Sequence, residues 1–396
     1  MRILLVAYFY EAPAGGGIIV ARQLRTQLAA RGHTVDVLCL AGSPETQPGT
    51  IWRLPPPPGT SGQINRLRQV LLFLNNRAFD RYFLSQAHAL PLREQRYDFI
   101  LAQDFLSVRL VRELAREWGV PCGATLHDTL PQQVEVGAPN PWVRRLLRSI
   151  SLRRDHSLKN DLRGYAWLAA VSRHVQRSAQ HWLAPAAPPI HVVYNPVPEP
   201  FTRLAPPRPD AALNYLFVGR LSPEKGIDLL VEAFRQTPSP HRLTILGLAG
   251  SLGPLVRSLA ASDPRIQLHA AVPYSAMPGV YQQHHAVCCP VMWDEPFGLT
   301  VLEGRVTQRV VIGTRRGGLP EILEGYPRAH LFDAAPDRFE TIRRLSRALA
   351  HGAELLRTPV DSGAEEAFLA PLQLNAVTDH YDRLINATLV TESAGR

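Results

Sequence analysis

Short continuous apolar runs alternate with longer stretches of helical period throughout this chain. Residues 3–7, 35–40, 97–102, 122–126, 166–171, 191–194, 215–218, 243–246, 266–268, 286–289 and 310–312 each read as a strand, the first a continuous apolar run of the parallel-sheet kind. Helical patterns lie between them, at 18–31 with a Gly32-His33 stop, at 227–235, and at 278–283 with Pro278 tolerated in the first turn. Ser172 reads as a helix N-cap. The alternation predicts parallel sheets with helices on both faces. The first repeat is strand, glycine loop (Gly15-Gly16-Gly17), helix and strand, a Rossmann-like unit. It lacks the G-x-G-x-x-G fingerprint, so a nicotinamide dinucleotide is not indicated.

The pattern pauses at residues 196–209, which are dense in proline, and restarts at residue 215. This predicts domains at 1–197 and 198–374, followed by a C-terminal helix in 375–396 that crosses back to the first domain. A length of 396 residues agrees, since ordinary domains hold roughly 100–200. No apolar run reaches the ~18 residues that would span a bilayer. The start, MRILLVAYFY, has the look of a short signal peptide with Ala12-Pro13-Ala14 as its cleavage site. Because the run leads straight into a glycine loop and helix, it is read as a strand. Cys39, Cys122, Cys288 and Cys289 sit in strand-like runs without C-x-x-C spacing, as buried apolar residues in a reducing compartment would.

Charge adds a second theme. The net charge is +9, and only two lysines occur, Lys159 and Lys225, so arginine supplies nearly all of it. Such a balance suits an anionic partner, and otherwise reflects arginine spread over solvated faces. Residues 54–62, LPPPPGTSG, can be neither helix nor central strand. A helical stretch at 64–84 follows, carrying Arg66, Arg68, Arg77 and Arg81 among apolar residues. Another at 142–163 holds Arg144, Arg145, Arg148, Arg153 and Arg154. Each reads as a core-packing helix with a solvated face or as a surface for anionic membrane.

The most informative stretch is residues 286–323. A buried strand ends at Pro290, a loop carries Glu295, and Gly298 opens a helix that contains Glu303. A second strand ends in Gly317-Gly318 before another helix. Strand, loop and helix N-terminus together aim backbone N–H groups at one point, which suits an anion. Arg220 and Lys225 follow the end of another strand, where ligands bind in open α/β sheets.

Glu295-Pro296-Phe297-Gly298 followed by Glu303 resembles the E-x7-E motif of retaining glycosyltransferases of the GT-B fold, the family four type (glycosyl transferases group 1). Gly317-Gly318-Leu319-Pro320-Glu321 is similar to the GG-x-PE segment of that family, and Arg220 with Lys225 to its R-x4-K pair. The resemblance covers essentially the whole chain and implies an α/β fold of two Rossmann-like domains facing each other across a cleft. It implies a nucleotide-diphosphate sugar as donor, with Arg220, Lys225 and the backbone of Gly298, Leu299 and Thr300 on the phosphates. Glu303 would hold the ribose hydroxyls and Glu295 the reacting sugar. Gly16 and Gly17 would approach the donor, His127 would contact the donor sugar, and Asp128 would orient that imidazole or meet the acceptor. Gly317, Gly318 and Glu321 would lie near the donor.

No metal-ligand cluster is visible, and no cofactor is expected beyond the nucleotide-sugar substrate. The expected acceptor is a glycan or lipid-linked glycan of the cell envelope, met at the cytoplasmic face with peripheral contact to anionic membrane; nucleic acid is not expected. A nucleotide-sugar epimerase, a glycogen-synthase-like polymerase and a non-catalytic assembly subunit stay open as rivals. Three departures stand out. Gln308 and Val310 replace the family's glycine and proline after the second glutamate, which would strain Gln308 if the turn needs positive φ. The loop at 247–250 reads Gly-Leu-Ala-Gly where the family often has Gly-Asp-Gly, and Asn195-Pro196-Val197-Pro198 replaces Asn-Gly-Val-Asp.

Overall fold

The computed structural model describes all residues except 12–14, 41–49, 56–75, 131–154, 198–200, 202–203, 209–211, 239, 249 and 395–396. Two compact units divide it: Met1–Val193 with Val377–Arg396, and Tyr194–Ala376. The division falls just before the proline-dense stretch, which therefore belongs to the second unit.

Among the described residues the first unit has seven strands: β1 (Arg2–Val6), β2 (Thr34–Leu40), β3 (Ile51–Leu54), β4 (Phe99–Ala102), β5 (Cys122–Leu126), β6 (Trp167–Ala170) and β7 (Ile190–Val192). All pair in parallel, in the order β3-β2-β1-β4-β5-β6-β7. The N-terminal run is thus a central strand, every residue of it from Ile3 to Val6 fully buried. Ala12-Pro13-Ala14 lies outside the described residues. The C-terminal helix, Leu374–Ala394, puts Val377, Tyr381 and Ile385 into the same core as Ile3, Leu5, Phe99 and Leu101. Their four-residue spacing makes one helical face.

Among the described residues the second unit has six strands: β8 (Asn214–Arg220), β9 (Arg242–Leu248), β10 (Ile266–Ala270), β11 (Ala286–Cys289), β12 (Val310–Thr314) and β13 (Ala329–Phe332). Their order is β10-β9-β8-β11-β12-β13, again all parallel. In each sheet the chain leaves one central strand, builds one side, then returns to build the other. The switch falls between β1 and β4 in the first sheet and between β8 and β11 in the second. Loops leaving the carboxyl ends of two such strands diverge and open a crevice between them.

All four cysteines are free and buried. Arg66, Arg68, Arg144, Arg145, Arg148, Arg153 and Arg154 lie outside the described residues, as does the side chain of Arg77; helix is described at Asn76–His88 and at 155–162. Among the described residues no helix is long and apolar enough to cross a membrane.

Candidate active site

In the second unit the switch point brings the β8 and β11 loops together. Arg220 is the last residue of β8, and a tight turn, Pro223–Lys225, follows it. The turn closes at Gly226, with φ of 65°, where a Cβ would overlap the carbonyl oxygen of Pro290 at the end of β11. Only glycine allows so close an approach of the two loops. The Met292 N–H donates to Glu224 O at 2.8 Å and ties them again.

Lys225 consequently reaches Glu295: Nζ lies 2.6 Å from Oε2. The indole N–H of Trp293 donates to the same oxygen at 2.8 Å, and Lys225 Nζ stands 5.1 Å from the Trp293 ring centre. A cation over an indole face gains further attraction. Arg220 is placed differently. It pairs with Glu224 at 3.1 Å and is 54% exposed.

Gly298, at φ 90° and ψ 66°, caps the helix Leu299–Val306, and its carbonyl accepts the N–H groups of Val301 and Leu302. The amides of Leu299 and Thr300 open that helix, where no preceding carbonyl of the helix can accept them. Arg305 holds the helix down. It forms an ion pair with Glu365 at 2.8 Å and donates to the carbonyls of Ile322 and Glu324.

Glu303 lies one turn into this helix and is only 3% exposed. The Tyr281 hydroxyl donates to its Oε2 at 2.6 Å and the Tyr274 hydroxyl to its Oε1 at 3.0 Å. Burial raises its carboxyl to about 7, against the opposing effect of the two phenol donors. Neither tyrosine is signalled by the E-x7-E spacing; they come from the segment 274–281, more than twenty residues upstream.

The Gly317-Gly318 loop wraps the backbone of Glu295. Gly318 N–H donates to Glu295 O at 2.7 Å. Gly317 has φ 58°, and a Cβ there would overlap the backbone N and O of Glu295. Glu321 accepts a hydrogen bond from Tyr194 OH at 2.6 Å, within the second unit. Arg220, Lys225, Glu295, Gly298, Leu299, Thr300, Glu303, Gly317, Gly318 and Glu321 thus all belong to one sheet end of one unit.

Gly16, Gly17 and His127 belong to the first unit. Gly15 caps the helix Gly16–Ala30, so the second and third glycines open the helix and do not form the loop. A Cβ on Gly17 would approach the His127 ring to 3.3 Å, so a side chain there would crowd the imidazole. His127 follows β5. Burial lowers its pKa to about 4. Its Nε2 lies 3.3 Å from Gln103 Oε1, so Gln103 is a partner of the ring. Tyr8 N–H donates to Asp104 Oδ2 at 2.6 Å across the β1/β4 switch. Among the described residues no three His, Cys, Asp or Glu side chains come together as a metal site.

Comparison with known proteins agrees with this geometry. Residues 14–199 match Glycosyltransferase Family 4, and residues 202–357 match Glycosyl transferases group 1. The chain belongs to the family 4 glycosyltransferases. This glycosyltransferase is 28% identical, over 77% of its length and 75% of the relative's, to a D-inositol 3-phosphate glycosyltransferase of Arthrobacter sp. (strain FB24). Its fold is similar to sucrose-phosphate synthase of Thermosynechococcus elongatus, with TM-score 0.76 and 19% identity over 99% of this chain and 100% of that one. It is also similar to Anabaena HepE, solved in complex with UDP-glucose, with TM-score 0.69 and 16% identity over 99% of this chain and 100% of that one. The glycosyltransferase has the two-domain α/β GT-B fold with parallel sheets.

Proposed function

We propose that this glycosyltransferase moves a hexosyl group from a nucleoside-diphosphate sugar to a glycan acceptor with retention at the anomeric carbon. The observation that carries the reading is the meeting of Lys225, Glu295 and the Gly298-capped helix at the β8/β11 switch. There a fixed cation and open helix amides can meet a diphosphate, with a carboxylate beside them for the sugar. In the step proposed, the bond from the anomeric carbon to the diphosphate oxygen breaks. The acceptor hydroxyl bonds to the same face and passes its proton to the departing diphosphate. Lys225, Arg220 and the amides of Leu299 and Thr300 stabilise the growing charge. Glu303 takes the ribose hydroxyls, and His127 meets the donor sugar.

Binding of a nucleotide-sugar panel, followed by transfer assays with the anomeric configuration of the product read by NMR, tests this. An inverted product removes retention. Donor epimerisation without transfer points to the epimerase on the same fold, and donor binding without any turnover to an assembly subunit.

The acceptor we propose is a lipid-borne or anionic glycan of the cell envelope, used at the cytoplasmic face. The support is the arginine excess of the first 197 residues, at 66, 68, 77 and 81 and again at 144–154. Each basic residue near an anionic leaflet contributes on the order of 1 kcal/mol. Flotation with anionic but not neutral vesicles, lost at high salt, is the expected result. Failure to float with either vesicle at low salt removes the membrane from the proposal.

A further inference from the structure

The buried polar side chains of the first unit include a linked set beside His127. Gln103, Thr125 and Tyr381 are 3%, 3% and 1% exposed, in a core otherwise aliphatic and aromatic. The Gln103 side-chain N–H donates to Thr125 Oγ1 at 2.9 Å, and Thr125 Oγ1 lies 2.9 Å from Tyr381 OH. At the other end, Gln103 Oε1 lies 3.3 Å from His127 Nε2. Together they form one hydrogen-bonded chain from the C-terminal helix to the imidazole.

The backbone explains how it assembles. Ala102 of β4 pairs with Ala124 of β5, so Gln103 and Thr125 are the next neighbours across the two strands. Thr125 and His127 stand two residues apart and share a face. Tyr381 occupies the middle of the buried helix face between Val377 and Ile385. A phenylalanine would fill that space. The hydroxyl is desolvated instead, and burial pushes the phenol up to about 12, opposed by its hydrogen bonds with Thr125 and Gln103. Buried polar groups are tolerated only when they satisfy one another.

We propose that Gln103, Thr125 and Tyr381 are positioning residues that hold His127 with its proton on Nε2 and so keep Nδ1 as a hydrogen-bond acceptor. The Gln103 amide is the selector. Its NH2 group donates to Thr125 Oγ1, and its Oε1 is the atom toward the ring. An amide oxygen can only accept, so Nε2 must donate. A ring that donates through Nε2 and stays neutral retains its lone pair on Nδ1. Burial keeps it neutral well below pH 7. Resting on the reading that His127 meets the donor sugar, this makes it an acceptor for a sugar hydroxyl and not a cation facing the anomeric carbon.

The test uses the full chain labelled with 15N-histidine, with the His127 signals assigned by their loss in His127→Asn. Wild type is expected to show a protonated Nε2 and an unprotonated Nδ1. Gln103→Leu removes the acceptor and should mix the two tautomers. Tyr381→Phe deletes one oxygen from a residue that otherwise keeps its packing, and should shift the same signals partway at an unchanged near-ultraviolet circular dichroism spectrum. Turnover should fall roughly tenfold in Gln103→Leu, the size of one lost hydrogen bond, with nucleoside diphosphate affinity unchanged. A wild-type Nδ1–H tautomer, or His127 signals untouched by both variants, overturns the proposal. If the signals respond as expected while no nucleotide sugar is bound or turned over, the positioning chain stands and the transferase reading falls.

Discussion

Lys225 Nζ and Glu295 Oε2 are 2.6 Å apart, so the residue assigned to the diphosphate and the residue assigned to the sugar form a single ion pair. Arg220 is not part of it; its partner is the half-buried Glu224, and Arg220 itself is 54% exposed. The two cations therefore differ in weight. Lys225→Ala removes a partly desolvated charge and also strips Glu295 of its counter-ion. Charge-assisted hydrogen bonds of this kind contribute about 1.5–3 kcal/mol. Nucleoside diphosphate binding should weaken on the order of tenfold to a hundredfold. Arg220→Ala should weaken it only a few-fold, because exposed charges are screened. Calorimetry in low and high salt measures both, and an unchanged affinity in Lys225→Ala removes that residue from the phosphate site.

The same geometry separates turnover from affinity. Glu295→Gln keeps an acceptor for the Trp293 indole but releases Lys225 from its carboxylate. Nucleoside diphosphate affinity should hold or rise, while turnover falls. Gly317→Ala reaches the same carboxylate by another route, since its Cβ would displace the Glu295 backbone. It should lower turnover like Glu295→Gln and lower thermal stability as well. Equal losses of affinity and turnover in Glu295→Gln would show that the carboxylate serves the nucleotide.

How much of this was legible depends on where each residue sits. β1, β11 and β12 read directly because strands buried on both faces are unbroken apolar runs. β3 (Ile51–Leu54) and β13 (Ala329–Phe332) did not, because they are largely half-buried and interrupted by Arg53 and His330. Helix Arg338–Ala350 hid its buried Ile342, Leu345 and Leu349 among arginines. The family resemblance singled out Glu295, Glu303 and Lys225, and of these the structure puts Lys225 against Glu295. The resemblance could not find Trp293, Tyr274 or Tyr281 as their partners, because those contacts depend on how the 274–282 segment packs against helix Leu299–Val306. Gln103 could be matched to Thr125 only once β4 was known to pair with β5.

The departure at Gln308 has a measurable consequence. Its φ is 56°, the left-handed region, as the family's glycine at that turn would require. A residue with a Cβ is strained there by roughly 1–2 kcal/mol, and glycine gives back part of that gain through the entropy of the unfolded chain. Gln308→Gly should therefore stabilise the protein by about 0.5–1 kcal/mol. The carbonyl that Arg328 uses, Gln308 O at 2.8 Å, is backbone and survives the change. Urea unfolding measures the shift; a lower midpoint would mean the glutamine side chain makes a contact worth more than the strain.

Glu303 links nucleotide binding to pH. Its carboxyl is raised from 4.5 to about 7, chiefly by burial. Between those values the folded protein holds a proton that the unfolded chain has lost. The stability this contributes is complete below about 4.5 and is lost as pH rises through about 7. Stability should fall across that window in the wild type, and Glu303→Gln should flatten the fall. Binding has the opposite sign. Two ribose hydroxyls are donors and favour the ionised acceptor, so nucleotide affinity should rise with pH, by about tenfold per unit well below pH 7, and level off above it. Glu303→Gln should bind weakly and without that slope. Tyr281→Phe removes the 2.6 Å donor that favours the carboxylate. It should move the rise to higher pH and leave its steepness unchanged. Nucleotide affinity that stays flat from about pH 5.5 to 8 in the wild type would place the ribose elsewhere and leave Glu303 as a buried anchor between two tyrosines.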